Sequence, residues 1–429
     1  MDGSSSSRAG RLNVRHSATS AVCGPATRPQ PTAAEGDLRP PGTPLESPPE
    51  SPSEKLRRYA RAAAPALVVY GASAAVHLVL LALMAGAGSG GPGLLDRLLA
   101  WDGRHFTDIA AYGYPDGFTY GADGKPTGND LAFFPLFPLL SRAVHHLTGL
   151  DTGLAAVVTA HLAMIAALVV VQQLMTRLYG RRTALVVIVL LAAAQPMSIA
   201  FFMAYSESLF LALGAGALLA VHRKAWLTAG ALGLLAGLTR PAAVSVAAAI
   251  AVAAALHLYR ERRLSWRPPA AVALACVATP AYLWWVGNRL HRLDAWFLIQ
   301  EAGWGTHWDF GRAYVDFLRS TLAGSDGWVA VSTAVLTLGL LCATVVACRR
   351  TTWPPLLVHG CVVVALTLGQ SNFYHSKLRL LIPALVFLVP LARAISRTSG
   401  RTAALTLGAA ALFGCWYGAY MLTVWRYAI

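Results

Sequence analysis

Long apolar runs, bounded by Arg or Pro and separated by short polar turns, fill the chain from residue 66 onward. About 20 helical residues cross a bilayer core roughly 30 Å thick. The runs 66–86, 152–176, 183–203, 206–222, 225–239, 242–258, 269–287, 328–348, 354–369, 379–396 and 403–424 therefore predict about eleven transmembrane helices. The run 225–239 is short, because a helix of that length reaches only about 22 Å, and a re-entrant segment fits it as well as a crossing does. Two stretches, 87–151 and 288–327, lack this pattern and read as long polar to amphipathic loops. Residues 1–53 are rich in Ser, Pro, Gly and Arg and hold too few apolar positions to build a core, which predicts a disordered tail. No continuous apolar segment of a signal peptide opens the chain, so the first span doubles as the insertion signal. The expected organisation is a tail, 1–53, followed by one all-α polytopic membrane domain, 54–429.

Composition agrees with the pattern. Of 429 residues 56% are hydrophobic and only 13% charged, against roughly 25% charged in soluble proteins. The formal charge of +15 raises the question of nucleic acid. The basic residues, however, lie in short clusters between apolar runs and make no continuous stripe, so no nucleic-acid partner is expected. Alternating the loops sorts these clusters. Lys55 to Arg61, Arg177 to Arg182, Arg223 and Lys224, Arg260 to Arg267, Arg349 and Arg350, and Arg393 to Arg401 fall on one side, which the positive-inside rule makes cytoplasmic. Every acidic residue from Asp96 onward except Glu261 falls on the other. The expectation is a multi-pass cell-membrane protein with its N-terminus inside and its polar chemistry outside. The six cysteines have no metal-ligand spacing.

The outer loops carry the candidate chemistry. In LLDRLLAWDGRHFTDIAAYGY the apolar residues Leu95, Leu98, Leu99, Phe106 and Ile109 mark one helical stripe, and the position missing from it is Asp102. A carboxylate turned to an apolar face is a stronger base, suited to taking a hydroxyl proton; equally, Asp102 suits an N-cap for a helix starting at Gly103. The segment LAFFPLFPLLSRAVHHL reads as an amphipathic helix on the membrane surface with its phenylalanines toward lipid or interface. Glu207 opens an apolar run, where a carboxylate serves either the helix dipole or a functional site. Arg240 is the only charge at its turn, placed either to snorkel or to pair with a phosphate. His375, Lys377 and Arg379 gather on the outer side against the charge pattern, which fits either binding of a phosphate or membrane lipid headgroup or anchoring at the interface. Trp101, Trp304 and Trp308 fit either sugar stacking or an interfacial belt.

The stretches WDGRHFTDIAAYGY (101–114), AFFPLFPLLSR (132–142), QPMSIAFFMAYSESLF (195–210) and LAGLTRP (235–241) together resemble the PIG-V family, GPI mannosyltransferase II, and its bacterial relatives in the GT-C superfamily of polyprenyl-phosphate-sugar-dependent glycosyltransferases. The resemblance implies a GT-C-like bundle and an inverting hexosyltransferase, of mannose by the family's donor, with Asp102 as general base. It implies substrate-contacting roles for Trp101, Arg104, His105, Asp108, Tyr205 and Glu207. Where the family often follows the Arg turn with Ser-Asn-Gly, this chain has Pro241, Ala242 and Ala243, so acceptor contacts do not carry over. The Ala, Arg and Leu bias suits a bacterial chain, and the acceptor, a glycolipid, glycan or protein, is not inherited from the family name. Arg240, Trp304, His375, Lys377 and Arg379 complete the expected substrate site. The chemistry requires no cofactor, and a divalent metal would be compatible with it. The rival expectation is a lipid-linked-sugar flippase or transporter, for which His77, His161, Gln172 and Gln173 are the polar residues within spans; a scaffold subunit without catalysis is the other.

Overall fold

The computed structural model describes residues 51–86, 91–262, 265–324, 327–350 and 352–429. The expected tail, apart from its last residues, and Asp326 lie outside them. The chain opens with α1 (Pro52–Gly86). The first loop folds into α2 (Leu94–Leu98), α3 (Asp102–Tyr112), a hairpin pairing Thr119 with Thr127, and α4 (Leu136–Thr148). There follow α5 (Thr152–Tyr179), α6 (Arg181–Val189), α7 (Glu207–His222), α8 (Trp226–Gly237), α9 (Val244–Glu261) and α10 (Arg267–Arg289). The second loop holds α11 (Ala295–Trp304) and α12 (Arg312–Gly324). The chain ends with α13 (Trp328–Arg349), α14 (Pro354–Leu368), α15 (Lys377–Leu381), α16 (Leu388–Ile395) and α17 (Gly400–Thr423).

Among the described residues six helices are long and apolar enough to cross a membrane, and a seventh is counted if the bent pair Tyr374–Leu381 and Leu385–Ile395 is one span. The eleven expected runs differ from this for identifiable reasons. The run 183–203 is not one helix: α6 passes into a π-turn at 190–194, and Gln195, extended at ψ 132 before Pro196, ends it. Residues 195–206 are then irregular backbone, nearly all of it buried, which is tolerated at membrane depth only inside protein. The run 379–396 bends by 73° across Pro383, which has no N–H to continue a helix. The runs 206–222, 225–239 and 354–369 are helices, but of 16, 12 and 15 residues.

Small residues let these short helices pack closely. Gly230, Gly233 and Gly237 of α8 face Ala271, Ala275 and Ala278 of α10, and a Cβ on Gly233 would meet the Ala275 Cβ at 2.7 Å. Close backbone approach of this kind holds helices together in lipid, where apolar burial gives no preference for protein over acyl chains. One apolar core joins α1, α5, α6, the irregular segment and α17, a second joins α7 to α10, and a third packs Leu131, Ala132 and Phe134 against Tyr282, Trp296 and Ile299. The last of these corrects the reading of α4 and its approach: Phe134 and Phe137 are buried, and the exposed face carries Leu139, Leu140 and Leu147 instead.

Candidate active site

The turn before Asp102 is held from two sides. Ala204 N donates to Leu98 O at 3.0 Å, and the Tyr205 hydroxyl donates to Ala100 O at 3.1 Å. Between them Trp101 takes φ 59 and ψ −117, a conformation that costs a non-Gly residue about 1–3 kcal/mol. The strained turn starts α3 at Asp102, whose side chain does not cap the helix. Arg379 Nη1 donates to Asp102 Oδ2 at 2.5 Å.

Arg379 is the hub of a buried charge cluster. Its guanidinium lies over the Tyr205 ring, 5.0 Å from the centroid, and its Nη1 is 3.5 Å from Glu207 Oε1. Arg240 Nη1 approaches the same Glu207 oxygen to 2.6 Å as an ion contact without the alignment of a hydrogen bond. Arg240 therefore does not snorkel, and Glu207, 1% exposed, serves two arginines. Four charges of alternating sign thus come from α3, α15, α7 and the turn after α8. Removing one member of a buried pair costs about 3–5 kcal/mol, because its partner is left unpaired. One donor of the cluster, Arg379 Nε, is buried without a partner among the described residues.

Asp102, Arg240 and Arg379 open on a cavity of about 220 Å³. Its other walls are aromatic, from Phe133, Phe134, Trp296 and Trp304, and neutral polar, from Gln300, Thr306, Thr367, Gln370 and Asn372. Trp296 Nε1 and Gln300 Nε2 both donate to Ala132 O, at 3.3 and 3.2 Å, tying α11 to the first loop. His105 stacks on Phe133 with centroids 4.6 Å apart, bonds Asp130 Oδ1 through Nδ1 at 2.7 Å, and so backs the aromatic wall from behind.

The expected site residues separate into groups. Asp102, Arg240, Arg379 and Trp304 line the cavity; Glu207, Tyr205 and His105 hold lining residues in place. Arg104 and Asp108 are exposed and Trp101 is 38% exposed, and none of the three lines the cavity. Partial burial and the nearby Asp130 carboxylate push the Asp108 carboxyl above its usual range. His375, Lys377 and Arg379 do not form one anion site. His375 stacks on Phe373, centroids 5.4 Å apart, and meets Trp425 edge-on. Lys377 Nζ donates to Thr367 O, Gln370 O and Asn372 Oδ1 at 3.1, 3.0 and 2.8 Å, which uses all three of its protons. It fixes the polar cavity wall from outside. The sequence reading did not single out Gln300, Gln370, Asn372 or Asp130; they come from separate segments and carry no local pattern. Among the described residues no three His, Cys, Asp or Glu side chains gather as metal ligands.

No family model matches the chain, and no curated protein matches it. Solved structures do. ArnT from Cupriavidus metallidurans, bound to undecaprenyl phosphate, matches 84% of this chain and 76% of its own at 14% identity and a TM-score of 0.50. The archaeal oligosaccharyltransferase AglB from Archaeoglobus fulgidus, in complex with an inhibitory peptide and a dolichol-phosphate, is 13% identical with a TM-score of 0.43, and this chain spans 56% of it. The likeness to ArnT gives the fold, a mostly helical bundle with several helices long and apolar enough to cross a membrane.

Proposed function

We propose that this chain is an inverting membrane glycosyltransferase that moves a sugar from a polyprenyl-phosphate donor to an acceptor hydroxyl, with Asp102 as general base. The observation that carries the reading is one cavity whose wall joins a carboxylate, Asp102, to two arginines, Arg240 and Arg379. ArnT was solved with undecaprenyl phosphate bound, and a lipid phosphate of that kind is what a polyprenyl-phosphate-sugar donor leaves behind. The resemblance read from the sequence favours mannose and the PIG-V family, and the charge pattern favours an extracytoplasmic site.

In this mechanism the donor phosphate lies against Arg240 and Arg379. The planar fork of each guanidinium matches phosphate oxygens, and both arginines line the cavity. Asp102 accepts the proton of the acceptor hydroxyl as its oxygen attacks the anomeric carbon. The bond from that carbon to the phosphate oxygen breaks on the opposite face, so the configuration inverts and the lipid phosphate leaves with one more negative charge. Fixed positive charge where this charge develops stabilises the transition state, and the Trp304 and Phe133 rings offer faces for the sugar. Once Asp102 holds the proton, Arg240 and Arg379 face Glu207 alone, so the cluster gains one net positive charge as the leaving phosphate gains a negative one.

The rival reading as a flippase or transporter has less support. His77 Nδ1 and Nε2 bond Ser73 O and Ser198 Oγ, His161 bonds the Tyr70 hydroxyl and Phe202 O, Gln172 donates to Ala62 O, and Gln173 accepts from Arg223. Each polar side chain that would line a path is engaged by the protein. The test is transfer of labelled mannose from polyprenyl-phosphate mannose by purified protein in proteoliposomes supplied with extracts of membrane glycolipids. Transfer to an acceptor supports the reading; movement of the intact donor across the bilayer with no transfer contradicts it.

A further inference from the structure

The helices that carry the candidate active site also form a second cavity at their other ends. The first cavity takes Ser206 and Phe210 from the start of α7, Arg240 from the turn after α8, and Leu366 and Thr367 from the end of α14. The second, of about 330 Å³, takes Val221 and His222 from the end of α7, Trp226 from the start of α8, Arg260 and Glu261 from the end of α9, and Pro354 and Pro355 from the start of α14. The 16 residues of α7 put about 24 Å between them. If the first cavity lies near one membrane surface, the second lies near the other.

Its chemistry is cationic and aromatic. Lys224 and Arg260 lie in the wall with His222 and His257. Glu261 is the acidic residue in the wall, and it pairs with Lys224 at 2.6 Å and approaches His257 Nδ1 to 3.4 Å. Arg260 has no carboxylate within ion-pair distance among the described residues, and His222 Nδ1 is buried there without a hydrogen-bond partner. Lys224 sits at φ 58, so a strained turn presents it at the cavity edge. Trp226 and Trp353 form apolar walls beside these groups. Orientation of the chain explains single surface arginines but not a cavity whose rim gathers Lys224 and Arg260, both exposed, with His222, His257 and two indoles in its wall.

We propose that this cavity binds the phosphate of an anionic phospholipid headgroup, in the leaflet opposite the candidate active site. Arg260 and the His222 ring would bond the phosphate oxygens, with Lys224 shared between the phosphate and Glu261. Basic pockets between membrane helices hold headgroups in this way, and indoles favour headgroup depth. The walls of Val221, Leu256 and Pro354 suit the glycerol and first acyl carbons better than a fully hydrated ion.

The experiment is native mass spectrometry of the purified full chain with phosphatidylglycerol, with phosphatidylcholine, and with inorganic phosphate. The wild type should retain phosphatidylglycerol at least about tenfold more tightly than phosphatidylcholine, a difference of about 1.4 kcal/mol. The Lys224→Gln/Arg260→Gln double variant should lose that preference while keeping its melting temperature and transfer activity. Should the double variant misfold, Arg260→Gln alone, at an exposed residue, gives the same reading. Equal retention by wild type and variant, or no preference for the anionic lipid, overturns the proposal. Displacement of the lipid by millimolar inorganic phosphate overturns the lipid assignment in favour of a soluble phosphate.

Discussion

Asp102 and Arg379 are 277 positions apart in sequence and 2.5 Å apart in space, and that contact shows what single residues disclosed beforehand. Asp102 was legible, because it breaks an apolar stripe, and Arg240 because it is alone at its turn. Their joint use was not, since Glu207, which ties Arg240 to Arg379, looks like an ordinary residue at a helix start. Lys377 misled for a physical reason: a lysine beside an anion site and a lysine saturated by carbonyls look alike until the carbonyls are located. Its role leads to a distinct expectation. Lys377→Met leaves Thr367 O, Gln370 O and Asn372 Oδ1 without their donor, at about 1–3 kcal/mol for each buried group. Its thermal midpoint should drop by several degrees and its KM for donor should rise, as read by a melt and a transfer assay. Arg240→Lys should fold normally, since the charge facing Glu207 remains, yet lose about 10- to 100-fold in kcat/KM with the planar fork gone.

Helix positions followed from apolar periodicity, but helix continuity did not. The irregular segment 195–206 has the composition of a span, because buried backbone in a membrane bundle needs apolar side chains whether it is helical or not. Pro196 and Pro383 mark the interruptions: Pro196 opens the segment that leads to Tyr205, Ser206 and Glu207, and Pro383 ends the turn of chain that carries Arg379 and Leu380 in the cavity wall. The α8 helix illustrates how packing reaches the site. Its glycines bring it against α10, and its C-terminal turn delivers Arg240 to the cavity. Gly233→Leu should wedge the two helices apart, because even a Cβ would meet both Ala275 and Ile250 at 3.0 Å or less. Thermal melts should show a large loss of midpoint and transfer assays a loss of activity, whereas Leu232→Ala, on a neighbouring face, should disturb neither as much.

The bundle as a whole has a polarity that its charges announce: basic clusters at one set of turns, acidic loops at the other. Arg240, Asp102 and Arg379 meet at the end shared with both long loops, and His222, Lys224 and Arg260 at the opposite end. In a background stripped of native cysteines, Asp123→Cys should react with a membrane-impermeant maleimide on intact cells, and Arg181→Cys only after permeabilisation. Asp123 lies in an exposed turn and Arg181 is the exposed first residue of α6, so the reverse labelling would invert the orientation.

The union of base and phosphate clamp in one cavity is tested most directly by measuring donor affinity and turnover separately in two variants, Asp102→Asn and Arg379→Gln. Asp102→Asn should bind polyprenyl-phosphate mannose about as tightly as the wild type and lose at least about 100-fold in kcat, with Arg379→Gln losing donor affinity itself. Wild-type turnover in purified, folded Asp102→Asn protein would contradict the mechanism.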